Sequence, residues 1–371
     1  MPKPFSAIAC NLDADILTAS LPLLEEGRVE AIEWSFDTLF NFPEIPSWFK
    51  ELLLAYSREG RLVGHGVFFS LFTGRWLPAQ QQWLDHLRKT ARAFPFDHVT
   101  EHFGFMTGRD FHQGAPLNIP FTASTLAIGQ DRLMRIQDAA QCPVGLENLA
   151  FSYSLDEVKR HGEFLHELLV PVNGFIILDL HNFYCQLHNF NLSFTELIAL
   201  YPLDQVREIH ISGGSFEDSL LMPVRSVRRD THDDRVPEEV FQLLGQTVPL
   251  CPNLRFVVLE QLGTALKSNE SRLGFREDFD RMDRIIKNIP LTGNPVELFT
   301  PPAKGLPDSA VEDEVLYQQQ RQLSEILETS ADGSDALARL RHSALVDSAW
   351  QFETWDPYML ETAVRIAGKW K

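Results

Sequence analysis

Short apolar runs alternate with longer segments of helical periodicity along the first 260 positions of the chain. Several of the runs are continuously apolar, which is typical of strands that are covered on both faces. The predicted strands are residues 5–10, 29–34, 61–67, 96–102, 143–148, 174–180, 206–212 and 254–260. The clearest segments of helical spacing are residues 77–94, 154–169, 193–201 and 237–248. This alternation predicts an α/β fold of repeated strand–helix units.

The number and the spacing of these units favour a closed barrel. Six of the strands end on a histidine or a carboxylate, and successive ends lie roughly 30 to 50 residues apart, enough for one βα unit each. Eight strands that alternate with helices over about 260 residues are what a (β/α)8 TIM barrel requires. A doubly wound sheet usually carries a glycine-rich phosphate turn after its first strand, and the segment after Cys10 has none.

The character of the sequence changes near residue 290. A stretch rich in Pro and Gly, which is typical of a linker, is followed by two segments of helical spacing. The last residues carry three tryptophans, Trp350, Trp355 and Trp370. We therefore predict a barrel domain over residues 1–290 and, over residues 291–371, a linker with a helical, Trp-containing extension. The extension either packs on the barrel or forms a separate recognition element.

Composition and charge exclude some classes of function. The chain has 371 residues, of which 44% are hydrophobic, and a net charge of -18. Nonspecific nucleic-acid binding needs a basic surface, so no nucleic-acid partner is expected. No apolar run approaches the roughly 18 residues of a membrane span, and no signal-peptide core is present, so we expect a cytoplasmic protein without a membrane partner. The four cysteines form no CxxC pair, which argues against a thiolate zinc site and a disulfide framework.

The residues at the six strand ends are all able to ligate a metal ion. They are His65, His102, Glu147, Asp179, His210 and Glu260. The C-terminal ends of barrel strands meet at one mouth, so these side chains are expected to surround one cavity. Three carboxylates buried together without a cation would be costly through desolvation and mutual repulsion. The sequence therefore predicts a metal centre of nitrogen and oxygen ligands, for which Mn, Fe and Zn are all chemically possible.

Three further residues are candidate ligands. His181 directly follows the strand that carries Asp179, and Asp230 and His232 are two residues apart, so both could face one side of an extended segment. Asn148 and Asn182 are predicted to orient the ligands, although a turn role explains Asn182 equally well. With a bridging carboxylate, the nine candidates could hold two or three ions. No side chain is assigned as a catalytic acid or base.

The remaining histidines have other interpretations. His98 lies inside a strand run and is predicted to be structural, whereas His112 and His188 are left open as contributors to the site. Those predicted to face solvent on polar helix faces are His86, His161, His166 and His342. The chain lacks a GxSxG elbow, a Walker loop and an HExxH motif, so Ser/His/Asp hydrolysis is unsupported.

Around these residues the chain resembles the multinuclear non-heme iron-dependent oxidase (MNIO) family, the family of the methanobactin-biosynthesis oxidase. The resemblance covers roughly residues 60–265 and implies a xylose-isomerase-like TIM barrel. The matching segments, in family order, are HGVFFS, TEHFGF, VGLENLAF, LDLHNFY, REIHISGG, DTHDDRV and VVLEQ.

The resemblance implies a site of two or three irons of mixed Fe2+ and Fe3+ state, with dioxygen as co-substrate. One iron would take His65 and His102, and Glu147 would bridge it to a second. The second iron would also take Asp179, His210 and Glu260. A third would take Asp230 and His232 with His181, which stands where the family often has an amide in D-x-N-N. The family's usual N-terminal G-x-G-L-R segment is absent.

Members of the family modify ribosomally made peptides, often at cysteine, and many act with a partner protein that presents the leader peptide. The lead hypothesis is therefore an iron- and dioxygen-dependent oxidase that modifies such a peptide at cysteine. The alternative is a divalent-metal sugar isomerase or epimerase, or an endonuclease-like hydrolase, on the same barrel. A third hypothesis is a metal-binding or peptide-binding scaffold without catalysis. The sequence leaves open the peptide, the product, the number of irons and the oligomeric state.

Overall fold

The computed structural model describes residues 3–40, 42, 44–107, 116–222, 224–289, 299–302 and 305–369. Within them the strands are β1 (Phe5–Ala9), β2 (Ala31–Trp34), β3 (Leu62–Gly66), β4 (Val99–His102), β5 (Phe105–Met106), β6 (Pro116–Leu117), β7 (Val144–Glu147), β8 (Phe175–Asp179), β9 (Val206–Ile211), β10 (Phe216–Asp218), β11 (Ser226–Arg228) and β12 (Phe256–Leu259). The α-helices are α1 (Ala14–Glu25), α2 (Ser47–Arg58), α3 (Pro78–Ala93), α4 (Ala123–Ala140), α5 (Leu155–Leu169), α6 (Leu180–Phe190), α7 (Phe194–Ile198), α8 (Glu238–Thr247), α9 (Asn269–Asn288), α10 (Glu314–Thr329), α11 (Gly333–Leu340) and α12 (Pro357–Gly368).

Eight of these strands close a parallel barrel in the order β1, β2, β3, β4, β7, β8, β9, β12, and β12 pairs back onto β1. All eight predicted strands are present, so the predicted TIM barrel is confirmed. The other described strands form two short antiparallel hairpins, β5–β6 and β10–β11, which follow β4 and β9 in the chain. Both hairpins therefore belong to the loops that leave the C-terminal ends of barrel strands, where this architecture places its sites.

The inside of the barrel contains an apolar layer and, two residues further along several strands, a polar one. Side chains alternate across a strand, so residues two apart face the same side. The apolar layer is formed by Ala7, Ala31, Val63, Phe256 and Val258. The residues two positions after three of these are Glu33, His65 and Glu260. The change from carbon to nitrogen and oxygen therefore occurs at one level of the barrel, toward its C-terminal end.

The displacement of one predicted strand end changes the position of a candidate ligand. The strand predicted over residues 174–180 ends at Asp179, because α6 begins at Leu180 and Asp179 is its N-cap. The Asp179 Oδ1 accepts a hydrogen bond from the backbone N–H of Asn182 at 2.5 Å. His181 therefore lies in the first turn of a helix rather than at a strand end, which changes the direction of its side chain.

The predicted solvent exposure of His161 on α5 is wrong. The side chain is buried, and its Nε2 accepts a hydrogen bond from the backbone N–H of Leu149 at 3.1 Å. Burial lowers the pKa of His161 to about 3, so the ring stays neutral and keeps this acceptor. The histidine thereby holds the loop after β7, two residues beyond Glu147, which is the last residue of the strand.

The helical C-terminal extension packs against the barrel, and its apolar residues belong to the same hydrophobic core. The ring of Trp355 stacks on Tyr153 with centroids 3.7 Å apart, and its indole N–H donates to the carbonyl of Trp350 at 3.0 Å. Further along, Gln320 of α10 donates to the carbonyl of Phe72 at 2.7 Å. The extension therefore covers loops at the C-terminal side of the barrel.

The four cysteines are buried free thiols. Burial raises the pKa of Cys10, Cys142 and Cys251 to about 12, which keeps these thiols protonated and poorly nucleophilic. Among the described residues, no helix combines the length and the apolar character needed to cross a membrane.

Replacement of Trp355 by alanine is expected to destabilise the protein by about 3–5 kcal/mol, because a buried indole is lost from the contact between extension and barrel. Denaturant unfolding measures this loss. Trp48 is the control: it is 51% exposed, and Trp48→Ala is expected to cost far less. Equal losses in the two variants would contradict the packing described for the extension.

Candidate metal centre

His65, His102 and Glu147 form a first group of converging ligand atoms. The two Nε2 atoms are 3.4 Å apart, and they lie 3.5 Å (His65) and 3.3 Å (His102) from Oε2 of Glu147. Each histidine has its other ring nitrogen engaged. Nδ1 of His65 contacts Thr100 Oγ1 at 2.8 Å, and Nδ1 of His102 contacts the carbonyl of Gly66 at 3.2 Å.

These outer contacts determine where the imidazole protons lie. A carbonyl only accepts, so the His102 proton is on Nδ1. Thr100 donates its hydroxyl proton to the carbonyl of Gly64 at 3.2 Å, so its oxygen accepts from Nδ1 of His65. In both rings the Nε2 lone pair is therefore free and directed at the same point, which is the arrangement of metal-ligating histidines held by a second hydrogen bond.

Glu147, Asp179, His210 and Glu260 form a second group. One ligand atom from each lies within 4.8 Å of the others. The Nδ1 of His210 is 3.2 Å from Oε2 of Glu260 and 3.9 Å from Oε1 of Glu147. Glu147 thus belongs to both groups and turns one carboxylate oxygen toward each. This is the geometry of a carboxylate that bridges two ions.

The ligand atoms themselves indicate that a cation fits here. The buried atoms without a hydrogen-bond partner among the described residues include Glu147 Oε2 and Asp179 Oδ2. Each such atom costs roughly 1–3 kcal/mol of desolvation when it is left unpaired. Because both belong to the predicted ligand set, metal ions would satisfy them together. The nitrogen and oxygen donors, without thiolate, suit iron, manganese or zinc.

The pKa values of the candidate ligands also show how unfavourable it is to bury these charges in the protein without metal. Burial raises the pKa of Asp179 to about 7, and the charge of Asp230 adds to the effect. Burial raises the pKa of Glu147 well above its usual range. Burial alone would lower the pKa of His210, but the carboxylates of Glu33 and Glu260 raise it well above the usual value. Metal binding is therefore expected to release protons.

Asp230 and His232 lie at the edge of the second group. Asp230 Oδ1 is 2.9 Å from His232 Nε2, and the same His232 atom is 4.0 Å from Glu260 Oε2. His232 has a positive φ of 50°, so the segment is not the extended one that we predicted. The structure nevertheless brings both side chains to the cluster. Their role as ligands remains a prediction.

His181 is brought near the cluster but has partners on both ring nitrogens. Its Nδ1 is 3.0 Å from Asp230 Oδ1, and its Nε2 accepts a hydrogen bond from Nε of Arg228 at 3.0 Å. An arginine only donates, so the imidazole is the acceptor at Nε2 and carries its proton on Nδ1. The role of His181 as a metal ligand stays a prediction. In the structure its two ring nitrogens connect Asp230 to Arg228.

Asn148 and Asn182 lie where residues that orient ligands should be. The Asn182 amide donates to Glu147 Oε1 at 3.2 Å and to the carbonyl of Asn148 at 2.9 Å. The side chain of Asn148 pairs with the backbone of Asp179, accepting at 2.7 Å and donating at 3.1 Å. The two amides thereby connect the bridging glutamate to the end of β8.

Two glutamates that sequence reasoning missed stand below His210. Its Nε2 lies 3.0 Å from Glu33 Oε2 and 3.3 Å from Glu208 Oε1. Glu208 in turn contacts His98 Nε2 at 2.5 Å, so the structural role predicted for His98 is supported by this contact. The signal was present, since each glutamate interrupts an apolar strand run, and Glu208 has the same strand parity as His210.

A cavity of about 530 Å³ adjoins the cluster at His102 and Asp230. The extension supplies one of its walls through one face of α12. The residues of that wall are Met359, Thr362 and Ile366 on α12, and Lys369 directly after the helix. The two histidines whose contribution to the site was left undecided add no ligand to the cluster among the described residues. His188 is exposed and contacts the carbonyl of Ser226, and His112 lies outside the described residues.

The barrel, the candidate ligand groups and the cavity define a TIM barrel whose C-terminal mouth carries residues that could hold metal ions. A family model described as "RiPP precursor modification enzyme MbnB/TglH/ChrH" matches residues 37–263. The chain belongs to this family, the MNIO family, and the predicted resemblance is confirmed. The matched segment contains all nine candidate ligands.

Relatives in the same family include UPF0276 proteins. One from Acaryochloris marina is 28% identical over 187 residues, which are 50% of this chain and 64% of that protein. One from Caulobacter vibrioides is 29% identical over 147 residues, which are 39% of this chain and 50% of that protein. The matched parts thus span about half to two thirds of these relatives' length.

Solved structures with a similar barrel are much more distant in sequence. An IolI protein with a bound zinc atom is 14% identical with a TM-score of 0.47, covering 75% of this chain and 96% of its own. A xylose isomerase domain containing protein from Salmonella typhimurium is 13% identical with a TM-score of 0.48, covering 78% and 100%. At these values the likeness carries no functional argument.

Replacement of Asp179 by asparagine is expected to stabilise the metal-free protein and to weaken metal binding. Ionised Asp179 is unfavourable when buried, so its cost grows as the pH rises from 3.8 to about 7 and is constant above. The asparagine oxygen can still cap α6. The free energy of unfolding at pH 8 should therefore rise by an amount on the order of 2 kcal/mol, because the unfavourable buried charge is removed. Denaturant unfolding of metal-free protein at several pH values measures it.

The control for this comparison is Asp234→Asn, which removes an exposed carboxylate and should leave both stability and metal content unchanged. A gain in Asp179→Asn that is already complete at pH 4 would contradict the assignment, since the carboxyl is then protonated in wild type as well.

Proposed function

We propose that this chain is an iron- and dioxygen-dependent oxidase that modifies a ribosomally synthesised peptide at a cysteine residue. One observation carries the proposal: Glu147 is shared by two adjoining groups of nitrogen and oxygen ligands, beside a cavity large enough for part of a peptide. The family consists of RiPP precursor modification enzymes, which supports a peptide as the substrate.

In this proposal His65 and His102 would hold one iron, and Asp179, His210 and Glu260 would hold a second, with Glu147 available to both. Asp230 and His232 are available at the edge for a further interaction. When bound, the irons supply the redox chemistry with dioxygen. The chain's own residues fix the geometry: Thr100 and the carbonyl of Gly66 set the tautomers of the two histidines, and Asn182 holds Glu147.

The two parts of the chain receive different tasks in this proposal. The barrel domain, residues 1–290, carries the metal chemistry, and the extension within residues 291–371 forms one wall of the cavity and contributes to recognition. The partners are a precursor peptide and a protein that presents its leader, and the setting is the cytoplasm, where cysteine stays reduced.

The competing function is a divalent-metal isomerase, epimerase or hydrolase on the same barrel, in which the ions would polarise a carbonyl or activate water. The donor set alone suits both functions. The metal content of the purified protein separates them, because protein that contains only zinc or manganese and does not respond to dioxygen would contradict the oxidase.

Glu147→Gln is expected to abolish modification of a cysteine-containing peptide encoded beside this gene, because the bridging carboxylate is lost. The measurement is the peptide's mass after aerobic, iron-replete co-expression with any encoded partner protein. Glu157→Gln is the matched control, since Glu157 is a half-buried glutamate that accepts hydrogen bonds from Asn118 and from the backbone N–H of Tyr153, outside the cluster. An unmodified peptide with the wild-type protein would count against the proposed function.

Met359→Ala is expected to raise the KM for the peptide several-fold with little change in kcat, because it removes a side chain from the cavity wall. Leu360→Ala is the control: both residues are buried on α12, but Leu360 does not line the cavity. Both variants should lose about 2–5 kcal/mol of stability. An equal rise of KM in Leu360→Ala would show that the effect of Met359→Ala comes from lost stability and not from the lost contact with the peptide.

A further inference from the structure

Arg228 is a buried arginine that stands beside the metal centre. It ends β11, is 6% exposed, and lines the same cavity as His102 and Asp230. Among the described residues, the neighbouring Arg229 forms an ion pair with Glu217, whereas Arg228 forms none. A guanidinium is rarely buried without a carboxylate partner, because its charge is costly to desolvate.

The contacts that Arg228 does make leave one edge of the guanidinium free. Its Nε donates a hydrogen bond to Nε2 of His181. Its Cζ lies over two aromatic rings, 4.7 Å from the ring centroid of Phe216 and 5.5 Å from that of Tyr184. The two terminal nitrogens have no hydrogen-bond partner among the described residues. The planar fork of an arginine matches a carboxylate with two parallel hydrogen bonds.

His181 holds this guanidinium at a fixed position relative to the cluster. It accepts from Arg228 through Nε2 and contacts Asp230 Oδ1 through Nδ1 at 3.0 Å. Two contacts therefore connect Arg228 through His181 to Asp230. The guanidinium cannot move away from the cavity unless its hydrogen bond to His181 breaks, so its free edge stays at a fixed distance from the candidate ligands.

We propose that Arg228 forms the subsite that binds a carboxylate of the substrate peptide, next to the residue that is modified; this rests on the proposed function. An anionic group that enters this cavity passes Asp230 and Asp233, so it needs a local cation. The lining contains two other cations, Arg229, which is paired with Glu217, and Lys369, which is exposed, so Arg228 is the buried cation of the lining that has no carboxylate partner among the described residues. The carboxylate is either the free C-terminus of the peptide or an acidic side chain beside the cysteine.

Three short peptides distinguish these sources: N-acetyl-Ala-Cys with a free carboxylate, the same peptide as its amide, and N-acetyl-Ala-Cys-Asp amide. Their Kd values are measured calorimetrically on zinc-loaded protein, because zinc has no redox chemistry that would consume the probe. At least one acid is expected to bind about ten-fold more tightly than the plain amide, as hydrogen bonds to charged groups imply. The acid that is favoured identifies the source.

Arg228→Gln is expected to abolish this preference, whereas Arg229→Gln, which removes the same charge from the same cavity, should retain it. Arg228→Lys is the second variant, should Arg228→Gln fail to fold: it keeps the charge, loses the fork, and should lower the preference several-fold. Equal Kd values for acids and amide in wild type, including no binding of any probe, would overturn the inference. So would a preference that survives in the Arg228 variants.

Metal content and modification of the precursor peptide are measured on the same samples and test the proposed function separately. A protein that loads metal and modifies its peptide, yet shows no acid preference, would retain the proposed function and lose the subsite. A protein that prefers the acids but never changes the mass of the peptide would retain the subsite and lose the oxidase.

Discussion

The cost of gathering several carboxylates and imidazoles in one buried volume is the constraint on which the rest of the structure depends. A single strand offers one inward position near its end, so a cluster of this size requires many strands that end at one level. Barrel closure provides that level. Without a cation, Asp179 and Glu147 retain protons to a higher pH than usual, so the folded protein is better suited to the metal-loaded state than to the empty one.

The geometry of the centre depends as much on the neighbours of the ligands as on the ligands. Thr100 and a backbone carbonyl set the tautomers of two histidines, and Asn182 holds the bridging glutamate. Below His210, Glu33 occupies the nitrogen that faces away from the cluster. The free lone pairs therefore point inward before any ion binds, which lowers the ordering cost of binding. A site of this kind can bind metal without rearranging the barrel.

The sequence predicted what depends on local pattern and missed what depends on closure of the barrel. Strand ends were visible because apolar runs stop at a histidine or carboxylate, and their convergence followed from the barrel. The direction of His181 was not predictable, because Asp179 both ends a strand and caps a helix, and one residue of displacement turns the next side chains away. The burial of His161 was missed because it depends on elements far away in the chain, whereas Glu33 left a signal by interrupting an apolar strand run.

The metal centre and the wall of its cavity are built on different parts of the chain. The family match ends at residue 263, whereas α12, which forms one wall of the cavity, lies beyond it. Glu361 of α12 accepts hydrogen bonds from Ser219 and the backbone of Leu220, in the turn between β10 and β11. The hairpin that carries Arg228 and the helix that carries Met359 are thus one connected unit. Changes in this unit would alter the shape of the cavity while the candidate ligands on the barrel strands stay in place.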